Sequence, residues 1–104
     1  MKKAMLYDVL VNAESLPWNQ SLYLPEDSSA WNATTEVIIE SADAFDEYDE
    51  TDNPVVMANM GYAYTLSCSD LISISKNLKE KHPAPAFEKL FEAFEFYLGN
   101  DAFL

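Results

Sequence analysis

A chain of 104 residues, 49% of them hydrophobic, holds material for one modest core, so a single domain is expected. Eighteen Asp and Glu face six lysines, no arginine occurs, and the net charge is -12. Such a field repels nucleic acid and anionic lipid surfaces. Without a guanidinium fork the chain also lacks the usual bidentate grip on phosphates and carboxylates, which sets aside nucleic-acid binding and anionic small substrates.

The chain opens on "MKKAMLYDVLVNAES". A basic pair precedes an apolar stretch, but Asp8 interrupts a stretch already short for a signal-peptide core. No window approaches the roughly 20 apolar residues of a membrane span, so a bacterial-type cytoplasm is the expected compartment. Met5, Leu6, Val9, Leu10 and Ala13 recur at spacings of three and four, which predicts a short helix over residues 4–13 that Pro17 prevents from continuing. "SLYLP" (21–25) reads as a short strand with Leu22 and Leu24 on one face. "TTEVIIES" (34–41) is a stronger strand. Val37 and Ile39 share one face and Glu36, Ile38 and Glu40 the other, so one side of the sheet is expected to meet water.

"ESADAFDEYDETDNP", Glu40 to Pro54, carries seven acids and no base. It is expected to form an acidic loop at about 42–54, closed by Asn53–Pro54, since proline cannot donate to a ladder and biases its predecessor toward extended geometry. "GYAYTLS" (61–67) alternates again, placing Tyr62, Tyr64 and Leu66 on one face, with Gly61 starting the strand or marking a bulge. The period then lengthens. Ser67 with Asp70 three residues on forms an acidic variant of the capping box, and Leu71, Ile74 and Leu78 define a helical stripe running to about Lys81. Lys76, Lys79 and Lys81 gather near its end, where the helix dipole favours cations. After "HPAP", a last helix is expected from about Pro85 to Leu98, with Phe87, Leu90, Phe91, Phe94 and Leu98 on one face and Gly99–Asn100 as its cap. Phe103 and Leu104 should dock back on the body. Phe96 points away from the apolar face, so either the tail covers it or it stands exposed beside acids. The whole reads as α+β: a small antiparallel sheet of about three strands with about three helices on one face.

No catalytic constellation emerges. Cys68 and His82 are the only thiol and imidazole, and they sit at opposite ends of the second long helix, 14 residues and about 20 Å apart, beyond any proton-transfer contact. With one cysteine no internal disulfide can form. The acids at 43, 46, 49 and 52 lack the alternating spacing, central glycine and distal Glu of a calcium loop, and one Cys with one His makes no zinc site. The only glycines, Gly61 and Gly99, form no phosphate-cradling pattern. Neither an enzyme, a metal nor a cofactor is expected.

The acid run is then either a solvated loop or a docking surface. Phe45 and Tyr48 are three apart, so one turn of helix would set them side by side as an anchor ringed by carboxylates, which is the composition of a hot spot for a basic target. Phe45 can instead fold into the core. As a docking surface, Asp46, Glu47, Asp49, Glu50 and Asp52 would be the charge partners and Tyr48 the anchor. In size and charge the whole chain resembles the small acidic immunity proteins of bacterial toxin systems, including contact-dependent growth inhibition. That resemblance implies binding and blocking of a toxin domain, often a nuclease with a basic active-site cleft; it rests on no motif and carries over no individual residue. Two other readings stand beside it. A DNA mimic would spread carboxylates along one elongated face at phosphate-like spacing, whereas here they concentrate in one loop. A structural module with incidental acidity would keep all its binding after amide replacement of those acids.

Overall fold

A computed structural model describes residues 1–104. Four strands form one antiparallel sheet in the order β1-β3-β2-β4: β1 Lys2–Met5, β2 Ser21–Pro25, β3 Glu36–Glu40 and β4 Tyr62–Ser67. Four helices accompany them: α1 Leu6–Val11, α2 Val55–Asn59, α3 Cys68–Lys81 and α4 Phe87–Asn100. The α+β class holds, with one more strand and one more helix than the sequence pattern suggested.

The extra strand replaces the first part of the expected helix over 4–13. Residues 2–5 pair with β3, Lys2 opposite Ile39 and Met5 opposite Glu36, and the helix begins only at Leu6. The spacing of Leu6, Val9 and Leu10 does make a helix, and all three side chains are buried. Met5, which belongs to the same spacing, is exposed. The edge hydrogen bonds offered by β3 outweigh one more turn of a marginal helix.

β2 and β3 fall where alternation put them. Leu22, Leu24, Val37 and Ile39 enter one core with Leu6, Val9 and Leu10 of α1, Leu71, Ile74 and Leu78 of α3, and Leu90, Ala93 and Phe94 of α4. The opposite face is not wet, contrary to expectation. Ile38 is fully buried there beside Tyr23 and Met57, with Phe45 and Tyr62 packed around them. Burying a side chain of this size contributes about 1.5–3 kcal/mol relative to exposure, enough to draw a short segment over the sheet. That segment is α2, whose Met57 is fully buried. At five residues it is too short to leave a helical period in the sequence.

β4 departs from simple alternation. Leu66 lies opposite Leu22, but Tyr64 lies opposite Tyr23, so Thr65 is a bulge with no counterpart in β2. Its hydroxyl accepts from the Leu24 amide at 3.2 Å. One inserted residue reverses which face follows, sending Leu66 into the main core and Tyr62 and Tyr64 to the other side. The expected common face for Tyr62, Tyr64 and Leu66 is thereby corrected.

The Ser67 cap forms as expected, its Oγ accepting from the Asp70 amide at 3.1 Å ahead of the buried stripe Leu71, Ile74 and Leu78. The last helix starts at Phe87 and runs two residues beyond Leu98. Gly99 is helical, and Asp101 makes the left-handed turn instead, at φ 52°, with its amide donating to the Tyr97 carbonyl. Phe103 stacks against Tyr97 with ring centroids 5.6 Å apart, and Lys81 Nζ donates to the Leu104 carbonyl at 2.8 Å. The tail therefore docks, but on Tyr97 and α3. Phe96 stays 38% exposed.

Candidate functional site

The acidic segment is an ordered hairpin, not a helical turn. Ser41 caps a short 3-10 turn over Ala42–Ala44 by accepting from the Asp43 amide. Phe45 follows in extended geometry and turns inward, its ring meeting that of Tyr23 edge to face at 5.6 Å. Tyr48 pairs with Pro54 across the hairpin, and its hydroxyl donates to the Ala42 carbonyl. Phe45 and Tyr48 are thus directed to different tasks: Phe45 is an inner support, and Tyr48, 46% exposed, is an outer aromatic.

The tip of the hairpin explains itself through Asp49. One carboxylate oxygen accepts from the Thr51 amide at 2.8 Å, the Thr51 hydroxyl at 2.7 Å and the Asn53 amide at 3.0 Å. These bonds, from the Thr51 hydroxyl first and then from the two amides, hold the Asp49 carboxyl below its usual value. Asp52 can then take φ 63°, a conformation Asp tolerates better than most side chains.

Asn53 fastens the hairpin to the sheet. Its side-chain amide donates to the Tyr62 carbonyl at 2.9 Å, and its side-chain oxygen accepts from the Tyr64 amide at 3.0 Å. Two groups on the outer edge of β4 thus find in one side chain the partners a fifth strand would supply. Asn53 is 7% exposed, so this exchange takes place largely out of water.

Of the residues assigned to partner binding from the sequence, Asp46, Glu47, Tyr48, Glu50 and Asp52 are exposed, and Asp49 is half-buried and engaged in holding the tip. The ion pairs of the molecule all lie elsewhere: the N-terminus with Glu40, Lys3 with Glu36, Lys79 with Glu14 and Lys89 with Glu92. Every lysine sits on β1, α3 or α4. Apart from Asp49, the carboxylates from Asp43 to Asp52 are exposed, and none of them forms an ion pair.

Apolar surface adjoins them. Val56 and Met60, on and just after α2, are exposed, and Tyr64 of β4 is 50% exposed. Between hairpin and sheet runs a groove of about 410 Å³ whose walls include Tyr23, Tyr48, Tyr64, Asp52, Asn53 and Pro54. On the other flank of the hairpin, a smaller groove of about 260 Å³ is bounded by Phe45, Asp46, Glu47, Val55 and Val56. The sequence pattern does not single out Asn53, Tyr23, Tyr64, Val56 or Met60 as site residues. Only the Asn–Pro pair left a trace in sequence, as a turn signal.

Cys68 and His82 mark the first residue and the C-cap of α3, as their spacing implied. Cys68 is fully buried, which pushes its thiol up to about 11. No three side chains among His, Cys, Asp and Glu converge in a metal-ligating group, and no helix is long and apolar enough to cross a membrane.

The family model described as a domain of unknown function, DUF7716, matches residues 3–104. The chain belongs to that family. No curated protein and no solved structure matches it. In this DUF7716 member the match covers the sheet, all four helices and the acidic hairpin, so hairpin and scaffold lie within one family unit.

Proposed function

We propose that the chain is an acidic protein-binding inhibitor that meets a basic partner through the Asp46–Asp52 hairpin, and that it is an immunity protein neutralising a toxin, in first place a nuclease domain. The observation that carries this reading is the segregation of charge: unpaired carboxylates on one ordered hairpin, all the lysines elsewhere, and an exposed tyrosine among the acids. Ordering matters because a preformed surface loses less conformational entropy on binding than a floppy acidic tail.

The mechanism is electrostatic capture followed by fixed contact. A field of this sign speeds encounter with a basic protein by roughly 10–10³-fold at low salt. Tyr48, with Val56 and Met60 beside the hairpin, then supplies apolar area for a desolvated centre, and Asp46, Glu47, Glu50 and Asp52 supply a charged rim. Against a nuclease, carboxylates set over the basic cleft would exclude the phosphates of the substrate. Such an inhibitor would act in the cytoplasm, on toxin arriving there.

The direct test is co-purification with the product of the adjacent gene, followed by a nuclease assay of that product with and without the chain. A stoichiometric complex and loss of nuclease activity are expected. A neighbour that is no toxin, together with no basic protein retained, would remove the reading.

A further inference from the structure

Tyr23 is 1% exposed, its hydroxyl takes part in no side-chain hydrogen bond of the chain, and since no fully buried side-chain oxygen lacks a partner, the little surface it keeps lies at that oxygen. Its neighbours differ: the Tyr48 hydroxyl donates to the Ala42 carbonyl and the Tyr62 hydroxyl to the Glu36 carbonyl. The ring of Tyr23 is buried, but its hydroxyl reaches the surface at the groove under the hairpin, where it is free to bond whatever enters.

The chemistry of the walls selects the visitor. The rings of Tyr23 and Tyr64 meet at 77° with centroids 6.0 Å apart and form an aromatic corner, and Tyr48 borders the same space. Asp52 is the charged residue of the lining, and no basic side chain lines it. Burial first, then the neighbouring phenols of Tyr48 and Tyr64 and the Glu40 carboxylate, push Tyr23 up to about 12, so its oxygen stays a neutral phenol with lone pairs to offer. Aromatic faces, a phenol acceptor and one carboxylate in a partly enclosed space suit an organic cation. A volume of about 410 Å³ accommodates an extended basic side chain and excludes a folded element.

We infer that the groove bounded by Tyr23, Tyr48, Tyr64 and Asp52 receives one lysine or arginine side chain of the partner protein, its alkyl stem along the aromatic walls and its head group donating to the Tyr23 hydroxyl and Asp52. This deepens the proposed function and rests on it for the source of the side chain, while the cation chemistry of the groove stands on the lining alone.

The test has two arms. In the first, the tyrosine ring signals of the intact chain are followed by NMR during titration with N-acetyl-arginine methylamide and N-acetyl-lysine methylamide, with N-acetyl-norleucine methylamide as the neutral control. Saturable shifts confined to Tyr23, Tyr48 and Tyr64 are expected with the two cations and not with norleucine. Tyr64→Ala, and Tyr23→Phe, which keeps the ring and removes only the hydroxyl, should each weaken the response about fivefold. A linear, unsaturable response, an equal response to norleucine, or unchanged affinity in both variants would overturn the cation site. In the second arm, the same variants are assayed against the basic protein that co-purifies. Full-strength binding by both variants, with binding lost on amide replacement of the hairpin acids, overturns the groove inference and leaves the hairpin reading intact. Saturation by the cations with no basic protein retained overturns the partner reading and supports the cation chemistry.

Discussion

Replacing Asn53 by alanine isolates the contact that turns an acidic segment into an ordered surface. The substitution deletes the bond to the Tyr62 carbonyl at 2.9 Å and the bond from the Tyr64 amide at 3.0 Å. Each backbone hydrogen bond contributes about 1 kcal/mol net, and a partly buried edge left unpaired costs about 1–3 kcal/mol, so a loss of about 2 kcal/mol is expected. For a domain of this size that lowers the melting temperature by about 10 °C. Urea unfolding followed by circular dichroism gives the free energy, and hydrogen exchange at the Tyr64 amide gives the location. Asn53→Asp keeps an acceptor for Tyr64 but loses the donor to Tyr62 and adds a charge in an already acidic setting, so it should cost more than alanine. A loss under about 0.5 kcal/mol with the Tyr64 amide still protected would refute the claim that this side chain stands in for a strand.

Further expectations follow from burial. Phe94→Ala should cost about 3–5 kcal/mol in urea unfolding, because Phe94 is fully buried between Trp31 and Phe91, whereas Phe96→Ser should fall within about 0.5 kcal/mol. The Cys68 thiol should resist alkylation at pH 8 in the folded chain and react readily once urea unfolds it, since it is buried and pushed up to about 11. Spectrophotometric titration at 295 nm should leave one tyrosine unionised until about 12. Because the folded value of Tyr23 lies above the ordinary 10.0, its contribution to stability is complete below that pH and is lost as pH rises toward 12, the unfolded chain releasing its proton first. At the acid end the sign reverses: Asp49 lies below its ordinary 3.8, so the order it gives the hairpin tip is present above that pH and lost as pH falls further, measurable as growing exchange of the Thr51 and Asn53 amides.

Elements that bury one clear face were legible from the sequence. β2 and β3 announce themselves by alternation, and α3 by the Ser67 cap with its stripe of Leu71, Ile74 and Leu78. What stayed hidden has local physical causes. β1 is four residues long and borrows its stability from β3, so the helical spacing that begins at Met5 masked it. The Thr65 bulge reverses the facing of β4, and no period-two pattern records an inserted residue. Ile38 sits in a polar-looking face, and only the arrival of Met57 from a five-residue helix makes that face dry. At the candidate site the acids and Tyr48 were visible as composition. The role of Asn53 as a peptide mimic and the meeting of Tyr23 with Tyr64 depend on the hairpin folding back across β4, a contact with no sequence period.

Association kinetics with the basic partner, measured against ionic strength, test the central claim most directly. The comparison is between the native chain and a variant with Asp46, Glu47, Asp49, Glu50 and Asp52 replaced by Asn or Gln, which removes five of the charges behind the net -12. Charges on the hairpin act over about 30 Å at 0.01 M salt and about 8 Å at 0.15 M. The native association rate should therefore fall steeply with added salt, and the variant should associate at least tenfold more slowly at low salt with a much flatter dependence. Equal association rates and equal salt dependence in the two proteins would contradict the account.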